Sequence, residues 1–198
     1  MNNNVHCSYP DWWRMLILLG CAIKVELTIV AEIVGLGEVT MFKTTDLYDA
    51  HLEALQVAAP IFRDFGGRQR FHGEIVTLKA FEDNTYLKAA FETDGRGKVL
   101  VVDSAGSMQR AMMGDVMAAL GASNGWEGVI INGCIRDSAD VAGVHIGVKA
   151  LATIPRKTVK RDQGVMDVPV RFADVLFVSG EYLYADEDGV VISKCAIV

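Results

Sequence analysis

The sequence predicts an α/β fold: a single compact domain with a mixed β-sheet or barrel-like core flanked by helices. Lys98–Asp103 and Gly128–Asn132 are continuous apolar, β-branched runs of the kind buried on both faces of a sheet. A helical segment around Asp115–Leu120 lies between them, and strand, helix, strand is the order of neighbouring parallel strands joined by a crossover. Composition agrees with a globule. Of 198 residues 51% are hydrophobic and 22% charged, with 19 glycines and 4 prolines, which excludes disorder, collagen and a disulfide scaffold.

The elements follow in order from Met41. Thr44-Thr45-Asp46 offers an N-cap for a helix over Leu47–Val57. Gly66-Gly67 marks a turn, and Glu74–Ala80 reads as a strand. Asp83-Asn84 can cap a helix running through Leu87, Ala90 and Phe91. The strand Lys98–Asp103 gives way to a flexible Ser104-Ala105-Gly106, and the helix around Asp115–Leu120 leads to the strand Gly128–Asn132. Gly133-Cys134-Ile135-Arg136-Asp137 then opens a helix around Ser138–Val141. Short strands are expected at His145–Ile154, Val168–Val170, Val175–Val178 and Val190–Ser193, separated by glycine and acidic turns.

Residues 1–40 do not read like this domain, which the sequence assigns to residues 41–198. Their apolar stretches, Met15–Ile23 and Val25–Leu36, are too short and too interrupted by charge to span a bilayer, which takes about 20 apolar residues. Leu18-Leu19-Gly20-Cys21 approximates a lipid-attachment box. Against that reading, the only cation before it, Arg14, follows Asp11, and Lys24 and Glu26 come directly after the cysteine. The expectation is an N-terminal extension outside the fold, or sequence upstream of a natural start at Met41.

Nineteen basic against 25 acidic side chains give a net charge of −6, so no global attraction to nucleic acid or anionic lipid is expected. The four cysteines, Cys7, Cys21, Cys134 and Cys195, are far apart and show no zinc or dithiol spacing. They read as free thiols of a reducing cytoplasm.

Ligands of open α/β sheets gather at the carboxyl ends of strands. One such end carries Asp103 and, a few residues later, Met113-Gly114-Asp115-Val116 at a helix start, where unpaired N–H groups can receive a carboxylate. Another carries Arg136-Asp137, a guanidinium fork beside a carboxylate. Together they could bind a small acid through Arg136 and amides, with Asp137 holding a divalent cation. Adjacent opposite charges are also commonly a plain surface pair, and Gly114 could be a plain loop glycine, so pattern alone leaves both readings open.

Phe65–Arg68, Thr77–Asn84, Gly97–Asp103, Gly125–Gly128 and Leu183–Asp186 with Asp188-Gly189 resemble the family of the regulator of ribonuclease activity A, which includes the class II 4-hydroxy-4-methyl-2-oxoglutarate aldolases. The likeness covers nearly all of residues 41–198 and none of the first forty. It implies a swivelling β/β/α type of fold and a homotrimer, or a stacked pair of trimers. Aldolase-type members resemble one another in a Gly-Asp loop followed, after about twenty residues, by Gly-x-x-Arg-Asp, matched here by Gly114-Asp115 and Gly133–Asp137. By that resemblance Gly114, Asp115, Val116, Met117 and Arg136 bind substrate, and Asp137 ligates Mg²⁺ or Mn²⁺. Members known chiefly as inhibitors of endoribonuclease E can lack the aspartate after the arginine. This chain keeps it.

The implied reaction is retro-aldol cleavage of 4-hydroxy-4-methyl-2-oxoglutarate or 4-carboxy-4-hydroxy-2-oxoadipate to pyruvate and a second keto acid. Oxaloacetate decarboxylation passes through the same pyruvate enolate. A hard cation stabilises the enolate charge, Arg136 contacts the oxyanion, and amides of Val116 and Met117 hold the carboxylate. Asp115, through a metal-activated water, is the candidate base for the C4 hydroxyl. The alternative is a non-enzymatic regulator that binds endoribonuclease E, with no direct contact to nucleic acid or membrane. His145 reads as a structural histidine, Arg156-Lys157 and Lys160-Arg161 as a basic loop of the kind usually just solvated, which could also face an acidic partner or a substrate tail, and Asp186–Asp188 as a turn, one of whose acids could assist a neighbour's metal waters. Lys79 and Lys149 show no sign of the lowered pKa that a Schiff-base lysine needs.

Overall fold

A computed structural model describes residues 42–198. The extension 1–40 and its Leu18–Cys21 segment lie outside the described residues. The described chain opens with α1 (Thr44–His51), a 3-10 turn (Leu52–Ala54) and β1 (Leu55–Val57). This corrects the expected single helix over Leu47–Val57: Leu55, Gln56 and Val57 pair antiparallel with Ser193, Ile192 and Val191 of the last strand. A waiting partner strand outweighs the local helical preference of a short segment. The capping differs too. Lys43 occupies the N-cap position without a side-chain bond. Thr44 turns inward, where its N–H and hydroxyl donate to the two Asp186 carboxylate oxygens at 2.7 and 2.6 Å.

The elements that follow are β2 (Arg63–Asp64), β3 (Phe71–Lys79), α2 (Thr85–Phe91), β4 (Lys98–Met113), α3 (Asp115–Ser123), β5 (Gly128–Ile135) and α4 (Ser138–Val141). After them come β6 (Gly147–Thr153), β7 (Val165–Met166), β8 (Val170–Phe172), β9 (Val175–Phe177), β10 (Tyr182–Ala185) and β11 (Val190–Ser193). One mixed sheet has the order β1-β11-β10-β3-β4-β5-β6-β2, with β7 against the end of β3, and β8-β9 form a separate hairpin. β3, β4, β5 and β6 are mutually parallel. The crossover expected between Lys98 and Asn132 is α3, so the mixed α/β class holds.

The central strands are apolar throughout because both faces of the sheet are buried. Leu100 and Val102 of β4 pack with Leu87, Phe91, Ala118 and Trp126 on the helical side. Val99 and Val101 pack with Phe71, Val170, Phe172, Val175 and Phe177 on the hairpin side. Side chains that alternate by two thus feed two cores.

Several boundaries move from those expected. β4 does not stop at Asp103 but continues to Met113, with Ala105 and Gly106 at φ 54° and 68° inside it. Gln109 through Met113 carry too little alternation to show this. His145 lies in an exposed turn before β6, not in a strand, so it is not the satisfied structural histidine expected. Val168-Val170 is displaced to Val170–Phe172, where Val170 and Phe172 pair with Phe177 and Val175. Tyr182–Ala185, unassigned from the sequence, is a strand between β3 and β11.

Candidate active site

The site begins as a consequence of strand register. From Asp103↔Asn132 onward β4 advances ten residues to Met113, while β5 advances only three to Ile135. The surplus is absorbed by register shifts in β4, as in β-bulges. Met113 and Ile135 therefore end side by side, and Arg136 N–H donates to Met113 C=O at 2.9 Å. The next residues of each strand, Gly114 and Arg136, leave the sheet as neighbours.

Gly114 is the N-cap residue of α3, with extended φ −136° and ψ −169°. A β-carbon there would meet Asp137 Oδ2 at 2.5 Å and Arg136 Nε at 3.3 Å. Glycine is required for close approach, since the backbone conformation is open to any residue. Ala118 N–H closes the first helical bond to Gly114 C=O at 3.0 Å, which leaves the N–H groups of Asp115, Val116 and Met117 without an intrahelical acceptor. These are the donors an anion meets at a helix start.

Asp137 adopts the left-handed conformation, φ 53° and ψ 39°, which aspartate tolerates better than most residues. This sharp reversal lets α4 begin at once, its first N–H groups, from Asp140 and Val141, donating to the Asp137 carbonyl at 3.0 and 2.9 Å. Arg136 Nε lies 3.2 Å from Asp137 Oδ2, with side chains 41% and 37% exposed. A pair that wet adds little stability. It does orient a guanidinium and a carboxylate on one rim.

Gly114, Asp115, Val116, Met117 and Arg136 line a single cavity of about 500 Å³. Asp137 adjoins it through its contact with Arg136 and its approach to Gly114. Asp103, the other acid expected at this strand end, is elsewhere: its carboxylate accepts from Ala105 N–H and the Asn132 amide at 2.8 and 2.9 Å, and Met113 ends the strand instead. The cavity has a further wall that includes Asn84, Lys88 and the stretch Lys157, Thr158, Val159 and Lys160, of which the sequence offered only the basic loop, without placing it at this site. The signal was present as the basic loop, but its neighbour depended on an unforeseen pairing of Ala111 with Lys157.

That wall is anchored by a buried acid. Asp83 Oδ1 accepts from the Thr85 N–H and hydroxyl at 2.8 and 2.7 Å, and Oδ2 accepts from Arg161 and Gln163 N–H at 2.6 and 3.1 Å. Burial pushes this carboxyl upward, but the four donors outweigh it and hold its pKa at about 2. The same carboxylate accepts from Thr85, the first residue of α2, and ties down the basic loop.

Other candidates are spent on structure. Asp186, 1% exposed, accepts from Thr44 and from the Asp188 and Gly189 N–H groups. Glu187 pairs with Arg70. Lys149, 3% exposed, is held by Asp64 at 2.7 Å and by the Asp186 carbonyl at 2.7 Å. Lys79 is exposed.

Residues 44–192 match the RraA-like family, described as Aldolase/RraA. The chain belongs to this family. A protein of Azotobacter vinelandii named "Putative 4-hydroxy-4-methyl-2-oxoglutarate aldolase" is 54% identical over 152 residues, 77% of this chain and 94% of the relative. A protein of the same name from Alkalilimnicola ehrlichii is 52% identical over 155 residues, 78% of this chain and 96% of the relative. Among solved structures, the RNA-processing inhibitor RraA of Thermus superposes with TM-score 0.76 at 38% identity, covering 80% of this chain and 98% of that one. A Geobacillus kaustophilus protein titled S-adenosylmethionine: 2-dimethylmenaquinone methyltransferase superposes with TM-score 0.77 at 44% identity, covering 79% and 97%.

For this Aldolase/RraA chain the donor set at the rim suits a hard divalent cation. Asp137 is half-exposed and only one of its oxygens is taken up by Arg136. Among the described residues no three His, Cys, Asp or Glu side chains converge as a metal cage. A single carboxylate completed by water and substrate oxygens is a mode Mg²⁺ adopts.

Proposed function

We propose that this cavity cleaves a 4-hydroxy-2-oxo acid, such as 4-hydroxy-4-methyl-2-oxoglutarate or 4-carboxy-4-hydroxy-2-oxoadipate, to pyruvate and a second keto acid in a divalent-metal-dependent retro-aldol reaction. The observation that carries the reading is the junction at Gly114, where a helix start, the Arg136 guanidinium and the Asp137 carboxylate converge on one cavity. Relatives above 50% identity with the aldolase name support it.

The substrate's C1 carboxylate sits at the free N–H groups of Val116 and Met117, which need no reorganisation to receive it. Arg136 donates to the C2 oxygen. Asp115 accepts the proton of the C4 hydroxyl, the C3–C4 bond breaks, and its electron pair ends as an enolate on the C2 oxygen; protonation at C3 then yields pyruvate. The guanidinium stays charged throughout, so its stabilisation grows as the enolate forms. Asp137 would hold a divalent cation, which would supply further positive charge to the enolate. Oxaloacetate, losing CO₂, reaches the same enolate, and decarboxylation is proposed as a side activity.

Pyruvate release from 4-hydroxy-4-methyl-2-oxoglutarate, measured with and without chelator, tests the reading. Loss with chelator and recovery with Mg²⁺ or Mn²⁺ is the expected result. Insensitivity to chelator, with a borohydride-trapped substrate adduct, sinks it. A second, compatible reading from the family resemblance is binding to endoribonuclease E, in keeping with the Thermus relative's name as an RNA-processing inhibitor; a pull-down with that enzyme would test it. A homotrimer or pair of stacked trimers is proposed from family likeness, to be checked by light scattering.

A further inference from the structure

Glu82 is a buried acid that the proposed reaction does not use. It lies just past the end of β3 and holds φ 52°, a left-handed conformation that is costly for glutamate and persists only where the surroundings impose it. Its polar contacts run to the bulged part of β4. The Glu82 N–H donates to Ser104 Oγ at 3.3 Å, Oε1 accepts from the Ser107 hydroxyl at 2.6 Å, and Oε2 lies 3.3 Å from Arg110 Nε.

Two of these contacts fall where the cavity depends on them. Ser107 pairs with Gly133 between the two register shifts that separate Asp103↔Asn132 from Ala111↔Cys134. Holding Ser107 there fixes how much of β4 the bulge absorbs, and with it the arrival of Met113 beside Ile135. Arg110 Nη1 donates to the Lys157 carbonyl at 2.9 Å, next to the bond from Ala111 N–H to the Arg156 carbonyl at 2.7 Å. A guanidinium is planar, so Nε at the carboxylate and Nη1 at the carbonyl fix Glu82 and the loop relative to each other. The Arg110 and Glu82 side chains are 27% and 12% exposed, drier than the Arg136–Asp137 pair. Glu82, Ser107 and Arg110 are not among the lining residues, whereas Met113, Gly114, Arg136 and the stretch 157–160 are.

We propose that Glu82 is a positioning residue of this site: its one carboxylate pins the β4 bulge through Ser107 and the 156–161 loop through Arg110, and so holds the Gly114–Arg136 junction and the loop wall in a single arrangement. The two arms have different consequences. The Ser107 arm sets the alignment of the groups that act on substrate, which governs turnover. The Arg110 arm sets whether the wall is in place, which governs apparent affinity. The proposal rests on the aldolase reading for the turnover by which it is assayed.

The test cuts the arms one at a time. Arg110→Lys keeps the charge but loses the planar fork, and Ser107→Ala removes the hydroxyl at the bulge. Two measurements are made at a temperature where circular dichroism shows each variant folded: steady-state pyruvate release from 4-hydroxy-4-methyl-2-oxoglutarate in Mg²⁺ buffer, and limited trypsin digestion, with cuts after Arg156, Lys157, Lys160 and Arg161 identified by mass. Arg110→Lys should be cut in the loop about tenfold faster than the parent, with KM raised at least about threefold and kcat within about twofold. Ser107→Ala should leave loop cutting and KM near the parent values and lower kcat about tenfold. Glu82→Ala should combine both defects; if it fails to fold, the single-arm variants decide. Loop cutting or KM unchanged in Arg110→Lys, or kcat unchanged in Ser107→Ala, overturns the proposal. A parent that releases no pyruvate removes the aldolase reading instead, and the digestion then judges the clamp: faster loop cutting in Arg110→Lys than in the parent and Ser107→Ala keeps it, and equal cutting removes it.

Discussion

A β-carbon on Gly114 would lie 2.5 Å from the Asp137 carboxylate, although the two residues belong to different strand-to-helix junctions. Gly114→Ala is therefore expected to displace Asp137 and Arg136 together. The backbone at φ −136° accepts alanine, and the substitution reduces the freedom of the unfolded chain, so the thermal midpoint should hold or rise slightly. Pyruvate release should fall by about two orders of magnitude, since misplacement near 1 Å costs that much. A fully active Gly114→Ala enzyme would show that the close approach has no role in the reaction.

Arg136 and Asp137 are predicted to fail differently. Arg136→Lys keeps charge but loses the planar fork, and turnover should drop about a hundredfold or more at any metal concentration. Asp137→Asn keeps the left-handed backbone that asparagine also tolerates, and removes the anionic ligand. Its defect should shrink as Mg²⁺ or Mn²⁺ is raised. Wild-type rates in both variants would place the chemistry elsewhere.

Asp83 should make the domain acid-sensitive in a defined window. Its pKa is about 2 in the folded protein, against an ordinary carboxylate value near 3.9 when unfolded. A lowered pKa stabilises the fold fully above the unfolded value and is lost as pH falls from about 4 to about 2. By linkage the contribution at neutral pH is about 2 kcal/mol. Asp83→Asn should lower the midpoint at pH 7, with a difference from the parent that narrows toward pH 2. Parallel midpoint curves at all pH values would remove the linkage argument.

Thr44 and Asp186 set how far the N-terminus can be trimmed. A chain starting at Met41 retains Phe42 and Thr44, both buried, and is predicted to melt at the temperature of the full chain. Thr44→Ala loses the hydroxyl bond to Asp186 and should cost about 1 kcal/mol. A truncated chain that melts several degrees lower would assign residues 1–40 a supporting role.

The sequence by itself determined the class and the chemical vocabulary. Buried runs such as Val99–Val102 and Val129–Ile131 announce a sheet covered on both faces because apolar side chains at every position have no other stable environment. Gly114–Met117 and Arg136-Asp137 were legible as strand-end motifs, because glycine punctuation and charge beside apolar strands are local features.

Only the tertiary structure decided which of these meet. The bulged register of β4 carries the cavity to Met113 and away from Asp103, and pairs Ala111 with Lys157 to bring the basic loop to the cavity that Arg136 also lines. Register depends on hydrogen bonds between segments far apart in the chain, so no local periodicity encodes it. The same holds for Leu55–Val57, helical by preference and extended by pairing with β11, and for Asp186, whose side chain is consumed by Thr44 at the far end of the domain's sequence. Local patterns name the groups; long-range pairing chooses their neighbours.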